Sequence, residues 1–141
     1  MKGKVVLDSS AIVALFFKEE LSDEVEKIVE EYSDYYTVSQ SYSEVANVAW
    51  KKVRIYGEDE ELSKQALENA VDFIEKVCKV EDNRSNLNQA FELAVKYDLT
   101  VYDALFIVLA MKLNEKLLTT DRKLYDRVRG TDLEGFIECV G

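Results

Sequence analysis

The chain contains no histidine, no proline and only two cysteines. Without histidine there is no Ser-His or Cys-His nucleophile, no imidazole acid–base chemistry and no His-ligated zinc. Cys78 and Cys139 stand far apart and form no CxxC pair, so they read as two buried thiols. A disulfide is not expected in a reducing compartment. No apolar run approaches the ~20 residues a membrane span requires. Three apolar residues, Val5 to Leu7, precede Asp8, too few for the apolar region of a signal peptide. These absences predict a cytoplasmic protein with no membrane partner. Polar chemistry is left to carboxylates, hydroxyls, Lys, Arg or a hard metal ion.

The net charge is −10, from 28 acidic and 18 basic residues. That is not the footprint of a protein that coats nucleic acid. It suits one that binds cations or a basic partner. About half of the 141 residues are apolar and a third are charged, as expected for one globular domain over residues 1–141.

Hydrophobic periodicity divides the chain into alternating strands and helices. Strands are expected at 4–7, 35–38, 79–81, 116–119 and 136–140. Helices are expected at 9–17, 23–32, 41–55, 58–78, 85–97, 102–113 and 121–128. The apolar stripe of the fourth helix reads Leu62, Ala66, Ala70, Phe73, Ile74 and Val77; that of the fifth reads Leu87, Ala90, Phe91, Ala94 and Val95. The segment 102–113 is almost wholly apolar and should lie at the centre. The alternation implies an α/β fold, a parallel sheet with helices on both faces.

Four acids stand out: Asp8, Glu44, Asp103 and Asp121. Each has a structural explanation as a helix-terminal residue. Asp8 and Asp121 suit N-caps, while Ser41-Tyr42-Ser43-Glu44 and Thr100-Val101-Tyr102-Asp103 have capping-box spacing. Their positions suggest more. Asp8 and Asp121 directly follow strands, and Glu44 and Asp103 open helices. In an open parallel sheet the carboxyl ends of strands and the helix N-termini that follow share one edge, where ligands bind. Four carboxylates converging there would repel and raise each other's pKa. A divalent cation removes that cost, and an all-oxygen site suits Mg²⁺ or Mn²⁺. Phosphodiester hydrolysis follows naturally from such a site.

The segments Val5-Val6-Leu7-Asp8-Ser9-Ser10-Ala11, Ser43-Glu44-Val45-Ala46, Tyr102-Asp103-Ala104-Leu105 and Leu118-Thr119-Thr120-Asp121-Arg122-Lys123-Leu124 resemble the four motifs of PIN-domain ribonucleases, in family order. The similarity is greatest to the VapC type, the toxin of a toxin–antitoxin pair, and it spans essentially the whole chain. The resemblance implies a Rossmann-like three-layer sandwich and Mg²⁺- or Mn²⁺-dependent cleavage of single-stranded RNA. It implies Asp8, Glu44, Asp103 and Asp121 as metal-binding and catalytic acids, with Ser9 and Thr119 as nearby hydroxyls. It also implies a homodimer silenced by an antitoxin whose basic tail enters the acidic pocket. The surface of Phe16, Phe17 and the Glu44 helix would either receive such a tail or belong to the core.

RNA requires positive charge. Lys51, Lys52 and Arg54 form one candidate group; Arg122, Lys123, Arg127 and Arg129 form another. Arg122 and Lys123 are preferred because they directly follow a proposed ligand. Trp50 and the tyrosines at 32, 35 and 36 would either stack bases or pack in the core or an interface. Two other functions compete with nuclease activity. A catalytically silent binding module would use the same acids only as caps. An aspartyl phosphoacceptor would want an acidic pair at the first strand, where Asp8 is followed by Ser9, and a lysine near the last strand, where 136–140 has none.

Overall fold

The computed structural model describes residues 2–141. Among them five strands form one parallel sheet: β1 (Lys2–Leu7), β2 (Tyr32–Val38), β3 (Cys78–Glu81), β4 (Lys116–Thr119) and β5 (Ile137–Cys139), in the order β3-β2-β1-β4-β5. Seven α-helices accompany them among the described residues: α1 (Ser9–Phe16), α2 (Ser22–Val29), α3 (Ser41–Arg54), α4 (Glu60–Lys76), α5 (Leu87–Tyr97), α6 (Val101–Leu113) and α7 (Arg122–Val128).

Successive strand residues point to opposite faces, and the two central strands use both. Val5 and Leu7 of β1 and Leu118 of β4 pack with α1 to α4, around Ile12, Val25, Val45 and Ile74. Val6 and Leu117 pack on the other side, with α5, α6 and α7, around Leu105, Ile107 and Leu124. Both faces are therefore covered, which is why these strands read as continuous apolar runs. The α6 helix is buried without interruption from Ala104 to Ala110 and forms the floor of its layer.

Several boundaries differ from the sequence expectation. The helix expected over 23–32 ends at Val29, because Tyr32 is the first residue of β2 and pairs with Lys2. The helix expected over 58–78 ends at Lys76, because Cys78 pairs with Tyr35 in the sheet. Asn83–Asn86 is a 3-10 turn leading into α5, and Glu134–Phe136 another leading into β5. The stripes are also narrower than expected. Leu62 of α4 and Val77 just beyond its end are exposed, as are Leu87, Phe91 and Val95 of α5, which buries only Ala90 and Ala94. Phe17 is buried and Phe16 packs against Phe73, with ring centroids 5.2 Å apart, so both belong to the core. Gly57 ends α3 as expected, in the left-handed region at φ 67° that favours glycine. The two cysteines are free thiols, Cys78 buried and Cys139 partly so. Among the described residues no helix is long and apolar enough to cross a membrane.

The strand order fixes where a ligand can sit. From β1 the chain moves outward to β2 and β3, then returns to β4 on the other side of β1 and continues to β5. The connections leaving β1 and β4 thus diverge to opposite sides of the sheet. A crevice opens at that switch point, outside the carboxyl ends of the two strands.

Candidate metal centre

Asp8 leaves β1 and caps α1. Its Oδ1 accepts the Ala11 N–H at 3.0 Å and the Ser10 hydroxyl at 2.6 Å. Its Oδ2 accepts the Thr119 hydroxyl at 2.5 Å. Thr119, buried at the end of β4, accepts the Asp121 N–H at 3.0 Å through the same oxygen. The Ser10 oxygen accepts the Thr120 N–H at 3.0 Å. Two hydroxyls thereby tie the end of β1 to the end of β4.

Asp121 caps α7, its Oδ1 accepting the Leu124 N–H at 3.1 Å. Asp103 lies in the first turn of α6, where the Thr100 hydroxyl accepts its N–H at 3.1 Å. Glu44 lies in the first turn of α3 and accepts the Ser9 hydroxyl at 2.6 Å. The capping box expected at Ser41 does not form. Gln40 is the N-cap and its side chain caps nothing, while the Ser41 hydroxyl bonds Thr37 at 2.7 Å. Three of the four acid-bearing helix starts therefore do have a side-chain cap, at Asp8, Thr100 and Asp121. Capping and facing the crevice are not alternatives here, since Asp8 and Asp121 do both.

All four acids line one cavity of about 500 Å³, together with Ser9, Ser10, Gln40, Ser43, Asn47, Lys51, Tyr102 and Phe106. A larger cavity of about 610 Å³ lies away from it, between α5, α6 and the turn before β5. It is lined by residues such as Leu93, Tyr97, Val108 and Phe136 and has no gathering of strand-end acids, so size alone does not select the site.

Burial dominates the electrostatics of the acid cavity, and Asp103 adds a smaller charge effect at both Asp8 and Glu44. Burial pushes the Asp8 carboxyl up to about 6; the charge of Asp103 adds to this, and the Ser10, Thr119 and Ala11 donors oppose it. Burial also raises Glu44, again with Asp103 adding and the Ser9 bond opposing. Asp103 itself is raised by burial and then by Asp121, with Thr100 and Arg127 opposing. Desolvation is thus the first cause throughout, and repulsion between the acids ranks second only at Asp103, below the hydrogen bonds at Asp8 and the Ser9 bond at Glu44, the reverse of the weighting that the sequence suggested.

The donor set matches a hard cation in kind: oxygen only, with no imidazole or thiolate in the cavity. The spacing is looser. Among the described residues no three acidic or thiol side chains are gathered closely enough to enclose a metal ion. Asp8 is held by three donors. Glu44, Asp103 and Asp121 are only partly buried, and such side chains change rotamer readily.

The basic candidates separate cleanly. Lys51 lines the cavity. Lys52 is buried, paired with Glu19 at 3.4 Å and Glu58 at 3.8 Å. Arg54 and Trp50 line an apolar groove between α3 and α4. Arg122 pairs with Asp126 at 3.5 Å and lies over the Tyr125 ring; neither it nor Lys123 lines the cavity. Arg127 donates to the Asp98 carbonyl at 2.7 Å. Sequence reasoning missed Ser10, Gln40, Asn47 and Tyr102. Asn47 was findable, since it follows Glu44 by one helical turn.

A strand-edge cavity of acids at the switch point of a parallel sheet defines the class. The family model for the PIN domain matches residues 5–130, and the chain belongs to the PIN-domain family. It is 40% identical to Ribonuclease VapC3 of Pyrobaculum aerophilum over 126 residues, 88% of this chain and 94% of that protein. Among solved structures, PAE2754 from Pyrobaculum aerophilum superposes with a TM-score of 0.69 at 23% identity, covering 91% of this chain and 81% of that one. VapC20 of Mycobacterium tuberculosis, a toxin that cleaves the sarcin-ricin loop, superposes with a TM-score of 0.67 at 18% identity, covering 97% of this chain and 99% of that one. At these identities the two structures speak for the fold.

Proposed function

We propose that this chain is a single-domain, cytoplasmic endoribonuclease that hydrolyses single-stranded RNA with Mg²⁺ or Mn²⁺, and that it is the toxin of a toxin–antitoxin pair. The observation that carries this reading is that all four motif acids line one cavity at the switch point. The 40% identity to a VapC ribonuclease supports the reaction class.

Asp8, Glu44, Asp103 and Asp121 would hold the cation. When bound, it would polarise water and neutralise phosphate charge. The chain's own residues do the rest. Thr119 and Ser10 orient Asp8, so that a buried carboxylate faces the crevice in one fixed pose. Ser9, next to Asp8 at the start of α1, orients Glu44 on α3. Asp103 brings the charge that both of them feel. Acids poised above their ordinary pKa gain from a nearby cation, which restores their charged form.

The net charge of −10 and the acidic cavity favour a basic segment of an antitoxin as inhibitor. A homodimer is the assembly we propose by family resemblance. The loose spacing of the acids favours one second reading, a silent binding module on this fold.

The test is cleavage of a single-stranded RNA oligonucleotide with Mg²⁺, Mn²⁺ or EDTA. Cleavage with either metal and none in EDTA is expected. Full activity in EDTA overturns the metal mechanism. A folded protein that binds metal but leaves RNA intact favours the binding module.

A further inference from the structure

We propose that Lys51 grips a phosphodiester flanking the scissile one, so that the RNA strand runs along α3 away from the acids. This rests on the ribonuclease reading above and specifies how the substrate is held.

The difficulty for any nucleic acid here is charge. Four carboxylates line the cavity, and the chain as a whole is strongly acidic. A cation among the acids can serve the scissile phosphate, but the neighbouring phosphates of the strand meet the same negative field. Lys51 is the one basic side chain lining this cavity among the described residues. Its place follows from helical geometry. Glu44, Asn47, Val48 and Lys51 are spaced i, i+3, i+4 and i+7, so they share one face of α3, and all four line the cavity. Seven residues of helix carry Lys51 about 10 Å along the axis from Glu44. That is far enough to miss the acids and near enough to meet an adjoining phosphate.

The other basic residues of this helix are engaged elsewhere. Lys52 is buried between Glu19 and Glu58, and Arg54 faces α4. Lys51 is exposed and has no ion pair among the described residues. A free ammonium at the rim of an acidic cavity suits a polyanion that must pass the acids. An ammonium acts as a point charge, so the grip should not depend on base sequence.

The experiment has two arms. In the first, kcat and KM on a single-stranded RNA oligonucleotide are measured with Mg²⁺ or Mn²⁺ for the native protein, Lys51→Ala, Lys51→Arg and Lys51→Glu. Lys76→Ala, on the far end of α4, is the control. In the second, a labelled oligonucleotide is titrated against Asp103→Asn protein with and without Lys51→Ala over a range of NaCl concentrations. Lys51→Ala should raise KM severalfold with kcat retained, equally for different sequences. Lys51→Glu should raise it further, and Lys51→Arg should restore it. The slope of log affinity against log salt should flatten by about 0.7, the loss of one phosphate contact on a single strand. An unchanged slope in an enzyme that still cleaves overturns this proposal alone, as does a fall in kcat with KM constant. A protein that neither binds nor cleaves RNA overturns the ribonuclease reading with it.

Discussion

The Thr119 hydroxyl donates to Asp8 Oδ2 at 2.5 Å across 111 positions of sequence. No local preference could produce that bond; it exists because β1 and β4 are neighbours, with Leu7 beside Leu118. Thr119 is fully buried, so its hydroxyl has no water to fall back on. Thr119→Val keeps the shape and removes both the donor to Asp8 and the acceptor of the Asp121 N–H. It should cost about 1–3 kcal/mol of stability, as expected for unsatisfied buried groups, and most of the activity. Thr119→Ser should retain more of both. Chemical denaturation and cleavage assays of the two variants check this.

Neutralising the acids should separate the site from its surroundings. Asp8→Asn and Asp103→Asn should each abolish most cleavage. Asp98→Asn and Asp126→Asn should leave most of it, because Asp98 is a fully exposed cap of α5 and Asp126 is an exposed partner of Arg122. Equal losses in all four would mean that the site is drawn wrongly.

Metal should reverse a stability order. In EDTA at pH 7.5, Asp103→Asn removes a charge that raises both Asp8 and Glu44, so it should melt at or above the native protein. Excess Mg²⁺ should stabilise the native protein by roughly 2.7 kcal/mol at 100 times its dissociation constant, and the variant by much less. Melting curves of each protein in both conditions decide it. Equal gains would leave Asp103 as part of a helix start and nothing more.

The pH dependence of Asp8 has a definite sign. Its folded carboxyl titrates near 6, above the ordinary 3.8. The folded state therefore binds the proton more tightly, and metal-free stability should fall as pH rises from about 4 to about 6, then level off. The size of the fall is about 3 kcal/mol for this group, to order of magnitude. Asp8→Asn has no such charge to bury, so its stability relative to the native protein should improve over the same interval. Denaturant midpoints in EDTA at pH 4 and pH 7.5 give the comparison. A constant difference would show that Asp8 is not desolvated.

Much of this architecture is legible in the sequence. The apolar runs ending in Asp8 and Thr119 read as strands because both faces of the sheet are covered, and the acids followed from the edge they end on. What was not legible depended on partners distant in sequence. Tyr32 reads as helix until β1 claims it. Leu87, Phe91 and Val95 have core spacing, but α5 packs through its alanines and turns them outward. Ser41 has the pattern of a cap, yet its hydroxyl is taken by Thr37. Gln40 gave no signal at all. It enters the site because its amide reaches the Tyr102 carbonyl at 2.7 Å, joining the starts of α3 and α6.

The unbroken burial of Ala104–Ala110 has a consequence for how the protein breathes. Amide protons in that stretch should exchange with deuterium only when the whole molecule opens, since no smaller excursion exposes them. Asp103 sits one residue before this stretch, which should be the slowest to exchange. Glu44 rides on α3, whose outer face is in solvent. The wall that carries Glu44 should therefore adjust more readily than the wall beneath Asp103.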